Sequence, residues 1–162
     1  MIKFPLVFLV TLLMSFHSIA QAKPTSTGNR LAGTWRLIDF ADRDSEDSAW
    51  TYSYGKHPTG YFTYTKTHIL NLNICAERPV KISEDSARNY NVNLQQWVDS
   101  NSTGYFGTYS VDYKKSIVTH HVKGGSLSWY IDTDQQRPFI LTGDTLIIGD
   151  NKTWRRVLVR VD

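Results

Sequence analysis

Tyr105-Phe-Gly-Thr-Tyr-Ser-Val111 and Ser116-Ile-Val-Thr-His-His-Val122 decide the fold. Both runs are rich in β-branched and aromatic residues, and Asp112, Lys114 and Lys115 give the stretch between them a turn composition. Pairing Val111 with Val118 sets Tyr109 opposite His120 and puts Val122 on the same face. Ser110, Asp112, Ile117, Thr119, His121 and Lys123 take the other face. The first face is the better core face, so the pair reads as an antiparallel hairpin with His120 inside.

The same texture recurs outward from this hairpin. Thr34–Phe40, Gly60–Thr65, His68–Ile74, Arg137–Leu141, Thr145–Ile148 and Trp154–Val161 are strands by composition, and Thr142-Gly143-Asp144 is a hairpin turn. No strand–helix alternation and no internal repeat interrupts them, which excludes a dinucleotide-binding fold. Short strands at close spacing predict an all-β antiparallel meander of about eight strands that closes as a barrel or stacks as a sandwich. One segment departs from the pattern. Ala87, Tyr90, Leu94 and Trp97 recur at helical spacing after Ser83, Glu84 and Asp85, a helix start, and 101–104 ends the run. This predicts one short helical insertion, which either caps an open barrel end or covers a sheet face.

Composition narrows the function. A chain of 162 residues is one ordinary domain, and 41% hydrophobic with 13% aromatic residues supports a packed core. A net charge of +3 is small for a nucleic-acid binder, so no nucleic-acid partner is expected. The single cysteine, Cys75, excludes an intramolecular disulfide and a multi-cysteine metal site, and its place after the alternating Leu70, Leu72 and Ile74 predicts a buried, slow-reacting thiol. Residues 1–22 have the layout of a secretory signal: Lys3, an apolar stretch from Phe4 to Phe16, then Ala20-Gln21-Ala22. Residues 23–30 read as a flexible leader and 31–162 as the domain. The expectation is a secreted or periplasmic protein with no integral membrane span after signal cleavage, because no later apolar run approaches the roughly 18 residues a membrane helix needs.

Several blocks, taken in order, carry a resemblance. Leu31-Ala-Gly-Thr-Trp-Arg-Leu37 opens with Gly-x-Trp. Pro58–Thr65, Tyr105–Asp112, Val118–Val122 and Arg137–Leu141 with Gly143-Asp144 and Leu146 follow. Together, over about residues 31–158, they resemble the bacterial and fungal lipocalin-like domain family. That resemblance implies a lipocalin-like up-and-down barrel with a cavity for a small organic molecule, and a packing role for Trp35 at the barrel base. Family members include proteins attached to secondary-metabolite pathways, so the family implies a cavity and not one reaction.

Alternation then nominates the cavity residues. Arg137 shares a face with Phe139 and Leu141 and should point inward, where a guanidinium needs a partner: an internal acid, barrel-end carbonyls, or a ligand carboxylate or phosphate. Related fatty-acid carriers use an inward Arg and Tyr for a ligand carboxylate, and this arrangement looks similar. His120, beside Tyr109, has three readings: a satisfied structural histidine, a hydrogen-bonding contact whose titration tunes affinity between pH 5 and 8, or a general base or haem ligand. Tyr61 and Tyr64 are both wall candidates, although only one can face inward in a regular strand. Arg155 and Arg156 fall on opposite faces and read as a solvated surface. His57 and His68 lie elsewhere and show no metal-ligand spacing; no metal and no cofactor is expected.

Three function classes follow. The first is a carrier for a small hydrophobic, anionic or aromatic molecule, held by Arg137, His120, Tyr109, Tyr61, Tyr64 and Phe139. The second is an isomerase, cyclase or hydratase with His120, Tyr109 and Arg137 as acid–base and anion-holding groups. The third is a structural protein with a filled core.

Overall fold

The hairpin forms as its alternation requires: Val111 faces Val118 and Tyr109 faces His120. In a computed structural model, which describes residues 28–81, 83–85 and 101–162, eight strands extend it into a closed barrel. They are β1 (Gly33–Asp42), β2 (Thr59–Tyr64), β3 (Ile69–Cys75), β4 (Ser102–Asp112), β5 (Ile117–Gly125), β6 (Asp134–Thr142), β7 (Thr145–Gly149) and β8 (Trp154–Arg160). Each strand pairs antiparallel with the next, and β8 pairs with β1, Trp35 opposite Arg160, so no edge is left unpaired. The predicted helical insertion falls mainly on residues 86–100, outside the described residues; Glu84 and Asp85 at its start are helical.

The two ends of the barrel differ. At the base, strands join through short turns at 65–68, 113–116 and 143–144. Gly143, at φ +56°, takes the first central position of a two-residue hairpin, where a type II′ turn favours glycine. Residues 29–32 cover this end: Leu31 is fully buried, its amide donates to Tyr113 Oη, and Asn29 donates to Tyr109 Oη. At the other end, the mouth, strands join through longer connections at 43–58, 76–101, 126–133 and 150–153.

Strand alternation fills the base half with Trp35, Leu37, Tyr64, Leu70, Tyr109, Val118, Phe139, Leu146 and Leu158, all buried. Burying each such side chain stabilises the fold by roughly 1.5–3 kcal/mol. Trp35 takes the base position expected of it, its Nε1–H donating to the Leu31 carbonyl at 2.9 Å. An irregularity between Leu37 and Asp39 breaks β1's alternation, so Leu37 and Phe40 both point inside. The alternation that puts Leu72 and Ile74 inside puts Cys75 outside: its thiol is half-buried on the outer face of β3, not buried in the core as expected.

Candidate functional site

Above the packed base the interior opens into a cavity of about 250 Å³. Every strand lends it a side chain. Phe40, Phe62, Tyr105, Tyr130 and Trp154 form aromatic walls, and Leu72, Ile74, Leu127 and Ile148 form aliphatic ones. The polar groups are His120, Arg137 and Arg156. An apolar concavity with a few converging polar groups is what a small-molecule site requires.

His120 sits at the cavity floor, 1% exposed. Tyr64 Oη lies 2.9 Å from its Nε2, and Tyr105 Oη lies 2.7 Å from its Nδ1. Burial, helped by the nearby Arg137 charge and by His121, pulls the His120 pKa down to about 3. The ring is therefore neutral across pH 5–8, which corrects the expectation that it titrates there. With both nitrogens engaged it has no free lone pair for a metal ion, and a group of such low basicity is a poor general base. Burial likewise holds the Tyr64 phenol well above its ordinary value and pushes Tyr105 up to about 12, against the opposing pull of Arg137. Both phenols keep their protons.

Arg137 projects from β6 as its shared face with Phe139 predicts. Its Nη2 donates to Tyr130 Oη at 3.1 Å and to Gln135 Oε1 at 3.2 Å, and the guanidinium lies 5.5 Å from the Tyr130 ring centre and 5.6 Å from that of Trp154. Among the described residues no carboxylate pairs with it. Tyr130 is delivered by the 3-10 turn Ser128–Tyr130, whose carbonyls at Ser128 and Tyr130 accept from Ile131 and Thr133. Gln135 is held in turn by its own donation to Thr133 Oγ1 at 2.7 Å.

Arg156 is the cavity cation that sequence reasoning missed. Alternation does split the pair, and Arg155 is outside, bonded to Asp39 at 2.6 Å and lying 4.3 Å from the Trp50 ring centre. Arg156 is inside, however, not on a solvated surface. Its guanidinium stacks on Phe40 at 3.3 Å, bonds the Ala41 and Arg155 carbonyls, and pairs with Asp42 at 3.0 Å. The signal was present, since Trp154 and Leu158 share its face. Tyr105 was missed too, although it shares a face with Tyr109. Phe40 was hidden by the β1 irregularity, and Tyr130 by lying in a loop without periodicity.

Of the six nominated ligand contacts, Arg137 and His120 line the one cavity together. Tyr64 is the inward member of its pair and reaches the site through His120. Tyr61 is 52% exposed on the outer face of β2 and lies outside the cavity. Tyr109 does face His120 across the ladder, but its hydroxyl donates to the Thr65 carbonyl at 2.6 Å, in the base, so it neither bonds His120 nor lines the cavity. A phenol reaches beyond its own rung, and the hydroxyl meeting His120 from β4 belongs to Tyr105. Phe139 is buried, but edge-on to Tyr113 near the base and away from the cavity lining. His68 stays at the β2–β3 turn against Tyr109.

A family model described as a lipocalin-like domain matches residues 32–157. No curated protein matches the chain.

Proposed function

Because the chain belongs to the lipocalin-like domain family, we propose that it is an exported binding protein whose mouth cavity holds a small organic anion with an aromatic or apolar body. The observation that carries this reading is Arg137. It stands in an aromatic-walled cavity with two neutral acceptors and, among the described residues, no carboxylate. A guanidinium so placed favours an incoming anion, which it can engage through two parallel N–H bonds. The cavity, about 250 Å³, lies at the lower edge of ligand pockets, which suits a compact acid better than a long acyl chain. Neutral, doubly bonded His120 supports binding over acid–base turnover. The secretory layout of residues 1–22 supports export.

Native mass spectrometry of protein purified from its own host tests the reading. A co-purifying low-mass acid, lost when Arg137 is replaced by Met, is expected. A bare polypeptide mass, together with no binding of small aromatic acids, would refute it. N-terminal sequencing of the same material should begin at Lys23; an intact Met1 would remove the export claim.

A further inference from the structure

Which way the protons point in the Tyr64–His120–Tyr105 chain follows from counting donors and acceptors. A neutral imidazole has one N–H and one lone pair. Tyr64 is 0% exposed, and the polar partner of its hydroxyl is His120 Nε2. If Nε2 carried the proton, the Tyr64 O–H would be buried with no acceptor, an arrangement folded proteins avoid. Tyr64 therefore donates to Nε2. The ring proton is on Nδ1, 2.7 Å from Tyr105 Oη, and Tyr105 accepts it. The Tyr105 O–H is then left to donate elsewhere. Tyr105 lines the cavity, and its neighbour there, Arg137, cannot accept.

We infer that the buried chain fixes Tyr105 as a hydrogen-bond donor aimed into the cavity beside Arg137, making the site specific for a headgroup that only accepts, a carboxylate above all. This rests on the binding reading given above and names its ligand class. Tyr105 is thus a specificity-determining contact, and His120 a positioning residue that acts through it. A carboxylate can take the guanidinium and the phenol on its two oxygens, whereas the amide of the same shape brings N–H groups to a place already crowded with donors. The arrangement holds across the physiological range. The titratable groups facing His120 are Tyr64 from β2, Tyr105 and Tyr109 from β4 and Arg137 from β6, with His121 next to it in the chain. None of them is an acid that would draw a proton onto the ring.

Two measurements on the full-length barrel test this. Long-range proton–nitrogen NMR of protein labelled with ¹⁵N-histidine should show His120 with its proton on Nδ1 and no change from pH 5 to 8. A proton on Nε2, or titration in that range, would overturn the inference whatever the protein binds. Calorimetry with benzoate and with benzamide then reads the specificity. Benzoate should bind at least tenfold tighter, and Tyr105→Phe should narrow that advantage severalfold while Arg137 keeps the rest; a ratio unchanged in the variant would overturn the role of Tyr105. Equal binding of the two probes by the wild-type protein overturns the inference while leaving a small-molecule site intact, and needs no variant to fold. Failure of both probes to bind overturns the ligand class and the binding reading together.

Discussion

Base and mouth each place an arginine over an aromatic ring, and the two arginines do different things. At the base Arg160 lies 4.0 Å from the Trp35 ring centre and donates to the Ala32 and Arg30 carbonyls at 2.9 and 2.8 Å, with Asp144 3.7 Å away. Its hydrogen bonds are spent on the chain itself, and it seals the end. At the mouth Arg137 has a phenol and an amide oxygen for partners. Arg156, between these extremes, is paired with Asp42. The residue type and its aromatic setting recur; what separates a structural arginine from a recognition arginine is how many backbone carbonyls and carboxylates reach it.

If the base is the structural half, its loss should dominate stability. Trp35→Ala should lower the unfolding free energy by roughly 3–5 kcal/mol, the scale of a buried Trp truncation, and Trp154→Ala at the half-open mouth by less than half as much. Equal losses in urea titrations would dissolve the distinction.

His120 lies where the halves meet, and its effect is read with pH. Its folded value of about 3 is below the ordinary 6.5, so the unfolded chain binds the proton more readily. Its full contribution is present above pH 6.5 and is lost as pH falls toward 3, on the order of 3 kcal/mol by pH 4. His120→Gln should flatten that part of the profile. An unchanged slope in the variant would show that other groups cause it.

The arginines themselves sharpen the comparison. Arg137→Met should weaken benzoate binding by roughly 1.5–3 kcal/mol while leaving the unfolding midpoint nearly unchanged. Arg160→Met should do the reverse, and matching effects on binding and stability at both sites would break the contrast. The smallest effect belongs to the mouth turn at 150–153. Desolvation alone would raise the Asp150 pKa, but bonds from the Thr153 hydroxyl and from the Trp154, Lys152 and Thr153 amides hold it well below the usual carboxylate range. Asp150→Ala should cost about 1 kcal/mol, without the loss of benzoate affinity that Arg137→Met brings.

The same division governs what could be read in advance. Regular strands announce their inner face, so Val118 and Val122 placed His120, and Phe139 and Leu141 placed Arg137. Alternation says which face a side chain takes, not how far along the barrel it reaches, and so Tyr109 was assigned the partner that Tyr105 holds and Phe139 was taken for a cavity residue. Irregularity hides faces altogether, as at Phe40 beyond the β1 irregularity. Loop residues such as Tyr130 have no period to read. The base, built of regular strands and short turns, was legible; the mouth, where the β1 irregularity turns Phe40 inward and a connection supplies Tyr130, was legible only in part.

The closing ladder between β1 and β8 also sets an order in time. Gly33–Asp42 must wait for Trp154–Arg160 before its second edge is covered, so the first of the eight strands in the chain is among the last to be fully paired. Joining such distant segments carries a large loop-closure entropy and slows folding relative to the local hairpins. Without Trp154–Arg160 the other strands form an open sheet with unpaired edges at Gly33–Asp42 and Thr145–Gly149. The barrel closes only when Trp154–Arg160 reaches Gly33–Asp42, so its interior forms late, after the local hairpins.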